Sequence, residues 1–150
     1  MAASRKRSKK RSAASGGRPR RPPPTFFIDE CLGRYAVPDA LKAEGCSVVL
    51  HCDVFKPGTL DPDWLTSLAQ HRGDWVILTK DTRIRHRELE RDALLSSGLR
   101  VFALTAGNLS GDSQARAFVR ALKRILRFSR ARGPFIATVT ASGGVKRIAP

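Results

Sequence analysis

Short apolar runs alternate with stretches of helical periodicity from Thr25 onward. The runs that have the length of strands are Thr25 to Ile28, Ser47 to His51, Trp75 to Thr79, Leu99 to Leu104 and Pro134 to Ala141, the last predicted as an edge strand. Strands that alternate with helices in this way are typical of βαβ units around a parallel sheet. The pattern therefore predicts an α/β fold.

Four helices are predicted between and after these strands. The first ends near Glu44, and the second begins at Asp61, whose carboxylate can cap the free backbone amides of the first turn. A charged helix follows from Ile84 to Ser97, and a basic amphipathic helix covers Ser113 to Arg132. The closing residues, GGVKRIAP, are predicted to be loose.

The charge of the chain is divided into three unequal blocks. Met1 to Pro24 has nine Lys or Arg and no acid, residues 25–112 have ten against all thirteen acids, and residues 113–150 have nine against none. The first block lacks apolar periodicity, which predicts a disordered basic tail before a folded domain at residues 25–150. Three roles fit the composition of this tail: it binds a polyanion, it directs the protein to a compartment, or it increases solubility.

Cysteine content and hydropathy narrow the class of protein. Cys31, Cys46 and Cys52 fit no zinc spacing, and an odd count without a secretory signal favours a reducing, cytoplasmic location. Cys46 and Cys52 are predicted to share one strand, too far apart along it for a disulfide. No apolar run approaches the roughly 20 residues that a membrane span needs, so a soluble protein is expected.

Acidic residues follow three of the predicted strands. They are Asp29 and Glu30 after the first strand, Asp53 after the second, Asp61 and Asp63 at the next helix start, and Asp81 after the third strand. The carboxyl ends of parallel strands share one edge of the sheet, so these carboxylates are expected to meet there. Oxygen ligands suit Mg²⁺ or Mn²⁺, which can activate water for phosphodiester hydrolysis. Three of these residues also have a simpler explanation. Asp61 is explained as a helix cap, Asp53 as a turn residue, and Asp63 as an acid in the first turn of a helix.

Basic and polar residues surround this predicted edge. Arg83 and Arg85 follow Asp81 directly, and their planar guanidinium groups suit phosphate. Lys80 and Asn108, the latter in the loop after the fourth strand, are further candidates for substrate binding. A solvated helix face for the arginines and a simple turn for Asn108 are the alternatives.

Four segments, in order, carry a family resemblance: FFIDECLGR, DPDWL, VILTKDTRIRHRELE and VFALTAGNLS. They resemble the PIN-like domain proteins related to VapC-type toxin ribonucleases, over about Thr25 to Val139. The resemblance implies a three-layer PIN-like domain with a mainly parallel central sheet. It also implies a Mg²⁺ or Mn²⁺ site at Asp29, Asp61 and Asp81, with Asp63 as an additional ligand, RNA as substrate and, for true toxins, a neutralising antitoxin. Asp39 and Glu44 are candidates for a further acidic position.

The leading prediction is a metal-dependent endoribonuclease that uses Asp29, Asp61 and Asp81 as catalytic residues. Its expected partners are RNA, an antitoxin protein if it is a toxin, and other copies of the chain, with no membrane. One alternative is a noncatalytic RNA-binding or partner-binding module that uses the tail and the last helix. A phospho-receiver domain fits less well, because PFIATVTASGG lacks the lysine that ends the fifth strand of a receiver.

Overall fold

A six-stranded sheet runs through the centre of the protein. The computed structural model describes residues 22–59, 61–106 and 108–149, without the side chains of Asp61, Ile84 and Arg85. The strands are β1 (Thr25–Ile28), β2 (Ser47–Leu50), β3 (Trp75–Thr79), β4 (Arg100–Leu104), β5 (Phe135–Val139) and β6 (Val145–Ala149). They lie in the order β2-β1-β3-β4-β5-β6. The first five pair in parallel and β6 is antiparallel to β5, which confirms the predicted mainly parallel sheet.

Helices cover both faces of this sheet. They are α1 (Ala36–Ala43), α2 (His51–Val54), α3 (Asp61–Gln70), α4 (Glu88–Ser97) and α5 (Gly111–Phe128), with 3-10 turns at Glu30–Leu32 and Thr82–Arg85. None of the helices in the described ranges combines the length and the apolar character needed to cross a bilayer. The predicted tail falls outside the described residues, apart from its last three prolines.

Two hydrophobic cores lie on opposite faces of the sheet, because successive side chains of a strand point to opposite sides. Phe26 packs in the core beneath α1 and α5, whereas the neighbouring Phe27 packs in the core beneath α3 and α4. Phe27 stacks on Trp64 of α3 with ring centroids 5.2 Å apart. Burial of side chains of this size contributes roughly 1.5–3 kcal/mol each, so the two cores hold the helices as outer layers.

The second strand is shorter than predicted. His51 was expected in the strand and Cys52 beside it, but β2 ends at Leu50 and both residues lie in α2. Cys46 and Cys52 therefore do not share a strand. The early turn places the buried His51 ring against Phe27 and Phe55, at centroid distances of 6.1 and 5.4 Å. Packing against these rings favours the turn over a longer strand.

The boundaries of two predicted helices also differ. The charged helix was expected from Ile84, but its first residues form the 3-10 turn Thr82–Arg85 and α4 begins at Glu88. The carboxylate of Asp81 accepts the Arg83 amide at 3.0 Å and so ends the strand with a capped turn. The last helix begins at Gly111 after the cap residue Ser110 and ends at Phe128, four residues earlier than predicted.

The end of the chain was predicted wrongly. Residues expected to be loose form β6, which makes β5 an interior strand and β6 the edge. Gly143 permits this hairpin, since its φ of +91° is a conformation that L side chains rarely adopt. A Cβ at Gly143 would also lie only 2.7 Å from the Cβ of Arg120, so the hairpin turn packs directly on α5.

A buried arginine joins three parts of the fold at the amino edge of the sheet. Arg100, the first residue of β4, is 5% exposed. Its guanidinium group donates to the Asp74 carboxylate, to the Ser129 carbonyl and, at 3.1 Å, to the Trp75 carbonyl. These bonds connect β4 to the end of α5 and to the start of β3.

Candidate functional site

Among the acidic residues of the predicted edge whose side chains are described, Asp29 is the most buried. It follows β1 directly, its amide donates to the Leu78 carbonyl at 3.0 Å, and its residue surface is only 7% exposed. One carboxylate oxygen, Oδ2, accepts the Thr79 hydroxyl at 2.7 Å and the Cys31 thiol at 3.3 Å. A buried carboxylate is tolerated when donors of this kind surround it, and they fix its position.

Thr79 links the two acidic residues that were predicted at the strand ends. Its hydroxyl donates to Asp29 and accepts the backbone amide of Asp81 at 3.1 Å. The side chain is buried at the last position of β3. Sequence reasoning missed this residue, although a polar side chain that ends the apolar run WVILT was a usable signal.

Cys31 is a hydrogen-bonding partner of Asp29 in this site. Burial, together with the charge of Asp29, raises the pKa of its thiol to about 11. The thiol therefore stays protonated at neutral pH and can donate to Asp29. The Lys80 amide in turn approaches the Cys31 sulfur at 3.5 Å, which ties the start of the loop after β3 to the same group.

Replacing Thr79 by valine is expected to lower the free energy of unfolding by about 1–3 kcal/mol, since Asp29 loses a buried donor and the Asp81 amide loses its acceptor. Valine keeps the shape of the side chain, so the loss reports on the hydroxyl. Thr79→Ser retains the hydroxyl and is the matched control. Urea denaturation of the three proteins measures the difference, and equal stability of the valine and serine variants would contradict the role assigned to the hydroxyl.

Asp81 is engaged by two arginines. Its carboxylate, 17% exposed, accepts Arg87 Nη1 at 3.0 Å and Arg83 Nε at 3.4 Å. Arg87 Nη1 also lies 3.2 Å from both carboxylate oxygens of Glu90. The Arg83 side chain is 73% exposed and remains accessible to a ligand. Positive charge therefore lies directly beside the acidic edge.

Glu30 and His51 form the other side of this edge. Glu30 Oε2 is 3.7 Å from His51 Nδ1, and neither ring nitrogen of the buried histidine has a hydrogen-bond partner among the described residues. Glu30 also lines a groove of about 530 Å³ together with Thr59, Arg87 and Leu89. The groove is therefore lined by the Glu30 carboxylate, after β1, and by Arg87, the residue before α4 that also binds Asp81.

The remaining predicted site residues lie on α2, on α3 and in the segments that follow β3 and β4. Asp53 is exposed on α2, Asp63 is exposed on α3, Lys80 is half-buried, and Asn108 is exposed in the loop after β4. Asp61 begins α3 and Arg85 lies in the 3-10 turn, but their side chains are outside the description. Within the described part of the chain, no three His, Cys, Asp or Glu side chains are grouped closely enough to hold a metal ion.

The fold and the acidic edge define the class of protein. Residues 24–106 match the PIN-like domain family, and the chain belongs to this family, as its motifs predicted. The chain is also 28% identical, over 117 residues, to the Mycobacterium tuberculosis protein named "Putative ribonuclease VapC45". That match covers 75% of this chain and 83% of the relative. No solved structure matches the chain.

Proposed function

We propose that this protein is an endoribonuclease that hydrolyses RNA phosphodiester bonds at the edge carrying Asp29 and Asp81. The main support for this proposal is the hydrogen-bond network in which Thr79 connects the buried Asp29 carboxylate to Asp81. Membership of the PIN-like family and the name of the mycobacterial relative support the same activity. We also propose that it acts as the toxin of a toxin-antitoxin pair and that an antitoxin protein is its partner.

The donor chemistry of the site fits a divalent metal ion. Mg²⁺ commonly keeps several waters and is held by one or two protein carboxylates, so the pair Asp29 and Asp81 is sufficient as a protein ligand set. Asp61 is the next candidate ligand, followed by Asp63, and we keep Glu30 and Asp53 as additional candidates. When bound, Mg²⁺ or Mn²⁺ would lower the pKa of a water and stabilise charge on the phosphate.

The protein's own side chains contribute position and charge. The Thr79 hydroxyl and the Cys31 thiol hold Asp29 in one orientation, so the carboxylate needs no rearrangement when substrate arrives. Arg83 and Arg87 already bind carboxylate oxygens beside the groove, and a guanidinium group binds phosphate oxygens with the same geometry. We assign phosphate positioning to Arg83 and Arg85, with Lys80 and Asn108 as further contacts.

Cleavage is expected to depend on added metal. Purified protein incubated with mixed cellular RNA should produce new RNA ends with Mg²⁺ or Mn²⁺, produce none with EDTA, and recover when metal is added in excess of the chelator. Mapping the ends by sequencing identifies the cut site, and a heat-denatured sample is the control for contaminating RNA breakdown. Absence of cleavage with every divalent ion tested would overturn the proposed activity.

A noncatalytic RNA-binding module is the second candidate. It is favoured by the lack of a three-residue metal cluster in the described residues and by the exposed basic residues of α5. RNA that is retained in a filter-binding assay but stays intact with Mn²⁺ would support this candidate. The receiver alternative does not hold, because the chain belongs to the PIN-like family.

A further inference from the structure

A line of exposed basic residues runs along α5. Arg116, Arg120, Lys123 and Arg127, here called the α5 stripe, are all exposed. Their spacing of four, three and four residues places them on one side of a helix with 3.6 residues per turn. At 1.5 Å per residue the stripe is about 17 Å long.

The orientation of the stripe is set by the opposite side of the helix. Ala117, Phe118, Ala121 and Ile125 are buried against the sheet, so the basic side chains must face outward. Arg120 also donates to the Ala141 carbonyl of the β5–β6 turn at 3.3 Å. Asp112, in the first turn of α5, lies four residues before Arg116 on the same side of the helix, so it can partly neutralise that end of the stripe. Residues 113–150 contain no acid, so the stripe as a whole keeps an excess of positive charge.

The helix that carries the stripe runs between the carboxyl edge of the sheet and residues 22–24. α5 begins beyond the carboxyl end of β4, and a Cβ at Gly111 would lie 3.3 Å from the Cβ of Ala36. Ala36 begins α1, the helix after the turn that carries Glu30. At the other end of α5, Arg130 lines one pocket with residues 22–24. The nine basic residues of Met1 to Pro24 therefore join the described chain there.

We propose that the α5 stripe binds the phosphate backbone of an RNA strand that extends from the candidate site. This inference rests on the proposed function, and it names the substrate class: RNA longer than the few nucleotides that the acidic edge itself can contact. A row of three exposed arginines and one lysine, with a single acid at the start of the same helix, complements a polyanion. Phosphate contacts of this kind position a nucleic acid without reading its sequence.

RNA is favoured over an anionic membrane surface. Helices that lie on membranes have a basic face and, on the other side, a face of large apolar residues that is buried in the lipid. The apolar side of α5 is already buried in the protein core. The large hydrophobic residues found exposed in the described part of the chain are Tyr35, Val54 and Leu89, and none of them lies on α5. The stripe therefore carries charge without an apolar anchor.

The test compares two double variants of the full chain with the same change in charge. Lys123→Glu with Arg127→Glu reverses the charge of the C-terminal half of the stripe. Arg72→Glu with Arg91→Glu is the matched control, because both residues are exposed and lie outside α5, before β3 and on α4. Affinity for a single-stranded RNA of about 30 nucleotides, several times the site size of a small binding domain, is measured in EDTA across a salt series.

The stripe variant should bind this RNA at least about 10-fold more weakly than the unchanged protein, with the control within about twofold of it. The slope of log affinity against log salt should become shallower by about 1.4, at about 0.7 for each of two lost phosphate contacts. Because binding is measured in EDTA, the result is independent of whether the protein cleaves RNA. Equal losses in both variants, or an unchanged slope, would overturn the stripe as an RNA site.

Two further measurements test whether the variants are folded and whether the stripe binds a membrane surface instead of RNA. Circular dichroism melts of both variants should match the unchanged protein, because all four substituted side chains are exposed. Binding to vesicles that contain anionic phospholipid is measured in parallel. A stripe variant that keeps its RNA affinity but loses vesicle binding would replace RNA by a membrane surface and overturn the proposal.

Discussion

Asp29→Asn is expected to reduce RNA cleavage by a factor of at least about 100. The substitution removes the negative charge of the most deeply placed proposed metal ligand. Loss of about 2.7–4 kcal/mol of electrostatic stabilisation corresponds to a 100- to 1000-fold lower rate. Rates with a defined RNA at saturating Mn²⁺ measure the effect.

The stability of the Asp29→Asn protein separates a site residue from a structural one. The asparagine carbonyl can still accept the Thr79 hydroxyl, so the free energy of unfolding should change by no more than about 1 kcal/mol. Asp81→Asn is expected to lose cleavage to a similar degree. Asp92→Asn on the exposed face of α4 is the matched control and should keep full activity. Full activity in both site variants would exclude the proposed role of the carboxylates.

Arg100→Met is expected to lower the free energy of unfolding by about 3 kcal/mol. The substitution keeps much of the side-chain length but leaves the Trp75 and Ser129 carbonyls without the guanidinium donor, and an unsatisfied buried acceptor costs about 1–3 kcal/mol. It also removes the partner of Asp74, which is partly exposed and can be solvated instead. The loss should therefore come mainly from the two carbonyls.

Urea denaturation at neutral pH measures this loss. The exposed Arg91→Met is the control, and substitutions at such positions usually change stability by less than about 0.5 kcal/mol. Arg100→Lys should recover only part of the loss, since an ammonium group cannot reproduce the planar fork that spans several acceptors. A decrease below about 1 kcal/mol for Arg100→Met would show that the buried network does not hold β4 in place.

The alternation of strands and helices along the chain and the mainly parallel sheet were accessible from local sequence patterns. Apolar runs such as Trp75 to Thr79 are short and flanked by helical periodicity, which predicts parallel strands without any knowledge of the pairing. Once the strands are parallel, Asp29 and Asp81 must emerge at the same edge. The start of α3 at Asp61 could also be predicted from the local sequence, because helix capping depends on neighbouring residues alone.

Tertiary structure decided which side chains complete the site. Asp29 and Thr79 are fifty residues apart and meet only because β1 pairs with β3. The contact of His51 with Phe27 and the hydrogen bonds of Arg100 to its three acceptors likewise join segments that are distant in the sequence. Hydropathy patterns report whether a residue is buried, but not which distant group it meets.

At the end of the chain, too, tertiary contacts decided what the local sequence pattern did not predict. Residues 143–149 have few large apolar side chains, and their pattern alone predicted a loose segment. They form β6 because the edge of β5 offers unpaired backbone groups and because Gly143 fits closely against α5. Local periodicity therefore determined the parallel strands and the edge where the acids gather. Pairing between distant segments determined the hydrogen-bond partners of Asp29, the burial of Arg100 and the last strand, since these depend on surfaces that exist only after folding.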